Sequence, residues 1–256
     1  MGLFEISLLV NTFLSVLLAS FVLHKNSRRR LNRLWALVGL SVAVWSASLF
    51  MITISNTTSS ANFWNHVLYF GAVFVPVFYY HFLVVLLGIE YEQTRSLRVY
   101  YGIGILFLIL NFSPWFLTGI EGTSGFEYWF TVEAGWAYYL FFAYFIYLIL
   151  LSFYYLGTKY KTLTGYVRHQ AKFVFIAGLV GFGGGVTAFL PQLVKVVPFG
   201  VVFVSFYVVF ITYAIIKYRL MDIRLVMVRS IVYVLLSSVV ALIFTALSIF
   251  FSTLFE

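Results

Sequence analysis

Eight stretches of this chain stay apolar for about 20 residues each: 3–23, 34–54, 64–87, 99–118, 135–157, 171–193, 199–217 and 231–251. A helix rises about 1.5 Å per residue, so a run of that length crosses the roughly 30 Å of hydrocarbon in a bilayer. Membrane strands would show shorter segments of alternating polarity. Runs such as LFLILNF and FVSFYVVFIT are apolar on both parities, which selects helices. Composition agrees: 63% of residues are apolar and only 9% charged, against roughly 25% charged in an average soluble domain. The expected architecture is all-α, a polytopic membrane bundle with a seven-helix core and an eighth transmembrane helix. The first span is kept as an anchor, because its basic cluster follows the apolar run, whereas a cleaved signal peptide has its bases in front.

Lysine and arginine set the orientation. The connections after spans one, three, five and seven, with their helix ends, hold 15 of the 16 basic residues, and Lys195 alone falls on the other side. Five acids lean the opposite way: Glu5, Glu121, Glu127, Glu133 and Glu256. The expectation is a bacterial inner-membrane protein with its basic loops in the cytoplasm and its N-terminus outside. The same asymmetry explains the net charge of +8 as a topology and anionic-lipid signal, with no need for nucleic acid. Trp35 at an inner helix end, and Trp64, Trp115, Trp129 and Trp136 at outer ends, fit interfacial belts.

Several kinds of chemistry have too little material. There is no cysteine, and eight acids with four histidines leave few groups for acid–base work. The run GFGGGV at 181–186 places Val186 where a nucleotide-binding glycine motif needs its last glycine, and it lies mid-span with no strand before it. A retinal protein would need a lysine deep in its last helix; Lys217 lies at a helix end, and no carboxylate lies deep in any span, which also argues against a pump. His66 and Glu133 are two ligands on separate segments, too few for a metal site. No enzyme activity, cofactor or metal is expected of this chain.

A set of special residues remains. His81, Asn111 and Gln192 are polar groups in or near spans; each reads either as an interhelical hydrogen-bonding group that fixes packing or, for His81, as a ligand contact or protonation site. Pro76 and Pro191 read as static kinks or as hinges. Ala177, Gly181 and Gly185 recur every four residues, a stripe suited to close helix approach or to a hinge. Asn56-Thr57-Thr58 matches a glycosylation sequon, relevant only in a eukaryotic secretory cell. The connection 119–134 joins three carboxylates to Phe126, Tyr128, Trp129 and Phe130. It reads either as an interfacial anchor or as the cover of an outer pocket whose candidate residues are Trp64, Asn65, His66, Tyr69, Trp129, Glu133 and Trp136.

Three stretches together resemble one family: FGAVFVPVFYYHFLVVLLG (70–88), RHQAKFVFIAGLVGFGGGVTAFLP (168–191) and TYAIIKYRLMDIRLVMVRSIVYVLL (212–236). They are similar to the N-terminal seven-helix membrane region of bacterial sensor histidine kinases, from about residue 5 to 236. The third stretch is the most specific. The resemblance implies a sensory module of a two-component system, usually dimeric, that biases a cytoplasmic histidine kinase in cis or as a partner. One departure is plain: His24, His66, His81 and His169 precede Lys, Val, Phe and Gln, so no phospho-accepting His-Glu or His-Asp is present. Relatives with an eighth span commonly have a ninth, so truncation before a ninth span and a kinase domain is expected.

The resulting division is a sensory domain over 1–220 and a cytoplasmic linker with an eighth helix over 221–256. In the linker KYRLMDIRLVMVRS, Lys217, Arg219, Arg224 and Arg229 surround Asp222. The segment is amphipathic enough to lie on the inner leaflet. Asp222 reads either as a relay group paired with Arg219 or a neighbouring base, or as a simple helix cap. Membrane lipids, a second copy of the chain and an unidentified small or hydrophobic ligand complete the expected partners. A small-molecule or lipid transporter, and a structural membrane-assembly subunit, are the competing functions; the absence of related halves argues against the transporter.

Overall fold

The computed structural model describes residues 3–122, 129–192, 200–218 and 220, with isolated positions at 233, 237 and 240. The eighth predicted span and most of the linker before it lie outside these residues. The described chain forms α1 (Leu3–Asn26), α2 (Arg30–Thr53), α3 (Thr58–Leu86), α4 (Glu90–Leu110), α5 (Trp136–Tyr160), α6 (Gly165–Val186), α7 (Val201–Val204) and α8 (Phe206–Tyr218). A 3-10 turn, Thr187–Gln192, continues α6. The predicted helical membrane bundle is the architecture observed. One antiparallel hairpin joins α4 to α5, with β1 (Leu117–Gly122) paired to β2 (Trp129–Ala134) from Leu117–Ala134 to Gly122–Trp129. Helices α1, α2, α3, α5 and α6 with its turn are long and apolar enough to cross a membrane.

Helix boundaries have local causes. Thr57 caps α3 by accepting the Ser60 N–H at 3.2 Å. At its other end Gly88 takes φ +70°, the left-handed conformation that glycine adopts without strain. There Gly88 N–H donates to Val85 O and Ile89 N–H to Val84 O, the paired bonds of a Schellman end. The apolar run of span four continues to 118, yet α4 stops at Leu110. Pro114 disfavours helix at Ser113, the Asn111 side chain bonds to α3 instead (below), and the chain turns into β1. Glu90, Glu92, Arg95 and Arg98 occupy the first nine residues of α4, so its apolar part is short.

Helices α1 to α6 alternate in direction, and α7 and α8 follow one another back along α6, giving the bundle two ends. At the basic end α1 stops, α2 starts and Glu90 opens α4; at the hairpin end lie β1, β2 and the 3-10 turn. Helix α2 packs along both α1 and α3, while α6 packs along α7 and α8, and α5 reaches α3 and α6. Between helices surrounded by lipid there is little hydrophobic driving force, so close packing and interhelical hydrogen bonds decide which faces meet. At Gly71 the backbones nearly touch: a Cβ there would collide with Ser41 O and would lie 2.8 Å from Trp45 N. Polar pairs pin α1 in place. Asn11 Nδ2 donates to Ser46 Oγ of α2 at 2.5 Å, and Ser15 Oγ meets Tyr207 Oη of α8 at 2.9 Å. Large apolar side chains such as Phe13, Ile109, Leu150 and Leu179 remain exposed around the outside, where a bilayer would be the solvent.

Candidate functional site

At the hairpin end, the outer-pocket candidates go to different places. Tyr69 is buried in an aromatic cluster, its ring 4.9 Å from Phe116 and 5.7 Å from Phe141. Asn65 is buried as well. His66 is fastened to the end of α4: Asn111 Nδ2 donates to His66 O at 3.0 Å, and His66 Nδ1 approaches Asn111 Oδ1 at 3.4 Å. The Phe112 ring stacks on the imidazole with centroids 5.1 Å apart. Trp64 is half-buried and packs edge-on to Phe63. Trp136 is exposed beside Trp115. Trp129 and Glu133 take their places in β2, opposite Gly122 and Gly119; their side chains lie outside the described residues. Among the described side chains, this end is a set of packed clasps.

At the basic end, His81 sits in a network that joins three helices. Arg30 of α2 forms an ion pair with Glu90 of α4 and approaches His81 Nε2 through Nη2 at 3.2 Å. A guanidinium only donates, so Nε2 is the accepting nitrogen and Nδ1 carries the proton. Nδ1 then donates to Tyr101 Oη of α4 at 2.8 Å. The neutral imidazole is thus a two-way connector between α2 and α4. Arg30 belongs to the basic cluster that the sequence explains by topology, which hid its second role.

Between these ends lies an apolar cavity of about 60 Å³. Trp35, Val38, Val42 and Trp45 of α2 and Tyr79 of α3 form one side; Gly178, Gly181, Phe182 and Gly185 of α6, with Tyr207 of α8, form the other. On the α6 side the cavity borders Gly185, which presents a hydrogen atom in place of a side chain. Its glycines differ in use. A Cβ on Gly178 would strike the Tyr79 hydroxyl, and one on Gly181 would lie 3.2 Å from Tyr207 Cβ, whereas at Gly185 the nearest atom is 3.9 Å away. Gly178 and Gly181 therefore let neighbours approach, and Gly185 leaves space. Tyr79 Oη is satisfied by Val174 O at 3.0 Å. Trp35 is 2% exposed, and its indole N–H has no acceptor among the described residues. An unsatisfied buried donor is costly, so this one marks a place where the polar accounting is open.

Helix α6 also reaches the basic end, where it holds the end of α8. Gln170 Nε2 donates to Tyr218 O at 2.8 Å, satisfying one of the carbonyls that a helix C-terminus leaves free. His169 stacks on the Tyr218 ring and Phe173 packs against it from the next turn. Sequence alone does not single out these residues, Tyr79 or Tyr207 as site residues, and it assigns Trp35 to an interfacial belt, whereas the structure buries it in the cavity lining; the aromatic pattern around RHQAKF was the available signal.

Pro76 lies inside α3 and is buried. Pro191 and Gln192 fall in the 3-10 turn, and their side chains lie outside the described residues. Arg219, Asp222, Arg224 and Arg229, the relay candidates, also fall outside.

The family described as the N-terminal 7TM region of histidine kinase matches residues 7–224. No curated protein matches the chain.

Proposed function

Because the chain belongs to the N-terminal 7TM region of histidine kinase family, a sensory membrane region, we propose that it relays an extracellular or intramembrane stimulus to a cytoplasmic histidine kinase domain of a two-component system. It works as a homodimer in the bacterial inner membrane, with the N-terminus outside and the basic end in the cytoplasm. Residues 1–220 receive the stimulus, and residues 221–256 form the linker and eighth helix. The kinase domain acts in cis or as a partner chain.

One observation carries this reading: α6 both walls the central cavity and holds the end of α8. A molecule that favours one arrangement of α6 over another shifts the population of bundle states by the difference in its two affinities. Since Gln170 and His169 grip Tyr218, that shift reaches the segment containing Arg219, Asp222, Arg224 and Arg229. In this scheme Asp222, paired with Arg219 or a base on a neighbouring loop, fixes the angle between spans seven and eight. The outer candidates Trp64, His66 and Glu133 are a second point at which a ligand would bias the same states.

The test is phosphorylation by the associated kinase in membranes. Asp222→Ala and Tyr218→Leu are expected to change its basal level or its response by at least threefold, with membrane insertion unchanged. Output equal to wild type in both variants across stimuli would remove the relay.

A further inference from the structure

We propose that the cavity between α2–α3 and α6–α8 is a binding site for one unbranched alkyl chain carrying an oxygen acceptor near one end. The proposal deepens the sensory reading by naming the class of ligand, and it stands on three observations.

The first is shape. The lining extends along α6 from Ala177 to Gly185 and along α2 from Trp35 to Trp45, about 12 Å and about 15 Å of helix axis. A volume of about 60 Å³ spread over such a length is one chain wide. A single row of methylenes suits that lining.

The second is chemistry. No charged side chain lines the cavity, and the Tyr79 and Tyr207 hydroxyls are committed to Val174 O and Ser15. Water there would find too few partners, and apolar cavities of this kind stay dry or take apolar guests. The ion pair and imidazole of the basic end, Arg30, Glu90 and His81, lie beyond Trp35 and do not reach into the lining. An ionised headgroup therefore has no counter-charge inside.

The third is the unsatisfied donor. Trp35 is the lining residue of α2 nearest the basic end, and its N–H lacks an acceptor among the described residues. Its nitrogen has no surface open to the cavity in this arrangement, so a hydroxyl, ketone or ester oxygen at that end of the chain satisfies it once the indole turns toward the lining. A phospholipid acyl chain with its ester and a free medium-length alcohol or ketone share this chemistry.

The experiment uses the full chain in phosphatidylcholine nanodiscs and reads quenching of tryptophan fluorescence by bromine. One arm adds bromodecanol; the other builds the disc from phosphatidylcholine brominated on its acyl chains. Gly185→Leu fills the cavity from a position where a Cβ meets nothing closer than 3.9 Å, and Val38→Phe fills it from the opposite wall. Gly183→Leu is the control, because Gly183 is exposed and a Cβ there meets nothing within 4 Å. Circular dichroism checks that each variant is folded, and either filled variant suffices.

Saturable quenching by bromodecanol in wild type and Gly183→Leu, weakened at least threefold by a filled variant, supports a site for a free alkyl compound. Brominated lipid that quenches wild type more than the filled variants supports occupancy by a lipid tail. Quenching that is the same in wild type and filled variants in both arms overturns the proposal. The outcome is separable from that of the relay: a kinase that responds to Asp222→Ala with no alkyl site leaves the relay standing, and an alkyl site without that response leaves only the binding.

Discussion

The His169 ring lies almost parallel to the Tyr218 ring, centroids 4.7 Å apart and planes 9° apart, so the first turns of α6 and the last turn of α8 are one packed unit. Gln170 strengthens it by donating to the Tyr218 carbonyl. The two contacts use different parts of Tyr218, its ring and its backbone. Neither uses the phenolic hydroxyl.

That division gives the first prediction. Tyr218→Phe keeps both the stack and the backbone acceptor and is expected to leave thermal stability in detergent unchanged. Tyr218→Leu loses the ring contacts to His169 and Phe173, each worth about 1 kcal/mol. Gln170→Leu loses one hydrogen bond, again about 1 kcal/mol. If Tyr218→Phe destabilises as much as Tyr218→Leu, the hydroxyl matters and the geometry described here is wrong.

The Arg30–His81–Tyr101 chain predicts coupling. Arg30→Gln and His81→Phe each break the 3.2 Å contact between Nη2 and Nε2, so the second substitution should cost less once the first is present. A double-mutant cycle on unfolding is expected to show an interaction of about 1 kcal/mol. Strict additivity would mean that the exposed Arg30–Glu90 pair, which by its surface position contributes little, is the only use of Arg30. Tyr101→Phe should weaken the same unit from the α4 side, since it removes the partner of Nδ1.

Two glycines should respond in opposite directions. At Gly71 a Cβ would collide with the backbone of α2, where Ser41 and Trp45 cannot move without shifting the helix. Gly71→Ala is expected to cost about 2 kcal/mol, as overpacking does. Gly183→Ala meets open space and gains helix propensity, so stability should stay level or rise by up to about 1 kcal/mol. Thermal unfolding of the two variants in one detergent decides it; a neutral Gly71→Ala would remove the close α2–α3 approach.

How much of this was legible in the sequence follows from what lipid does to a pattern. The spans could be read because crossing hydrocarbon demands length and apolarity, and these are local properties. The faces could not be read so well, because core and solvent are both apolar and no stripe separates Trp35 or Tyr79 from Phe13 or Leu150. The recurrence of Ala177, Gly181 and Gly185 pointed to the side of α6 that matters, but separating Gly181, which touches Tyr207, from Gly185, which borders empty space, needs the neighbouring helix. His81 and Asn111 stood out as polar residues in apolar runs, while their partners Arg30 and His66 were explained by other roles. The early end of α4 is marked by Pro114, but the apolar residues on both sides of it carry the span signal on to 118. Span length predicts a helix where a β-hairpin has replaced its outer end.

The last prediction concerns orientation, on which the cytoplasmic output depends. The natural chain has no cysteine, so single cysteines can be placed on a clean background. Ser27, in the turn between α1 and α2, and Thr164, just before α6, are exposed at the basic end; Asn56, between α2 and α3, is exposed at the other. Among the described residues the lysines and arginines, such as Lys25, Arg30, Arg95, Lys161, Arg168 and Lys217, lie at the end of Ser27 and Thr164, and positively charged loops are retained in the cytoplasm. A membrane-impermeant maleimide applied to intact bacterial spheroplasts should therefore label Asn56→Cys and leave Ser27→Cys and Thr164→Cys untouched until the membrane is opened. Labelling of Ser27→Cys and Thr164→Cys from outside would place the end of α8 on the wrong side of the bilayer for a cytoplasmic kinase. Split labelling of those two positions would break the alternation of helix directions itself, because four helices, α2 to α5, lie between Ser27 and Thr164 and bring the chain back to the same end.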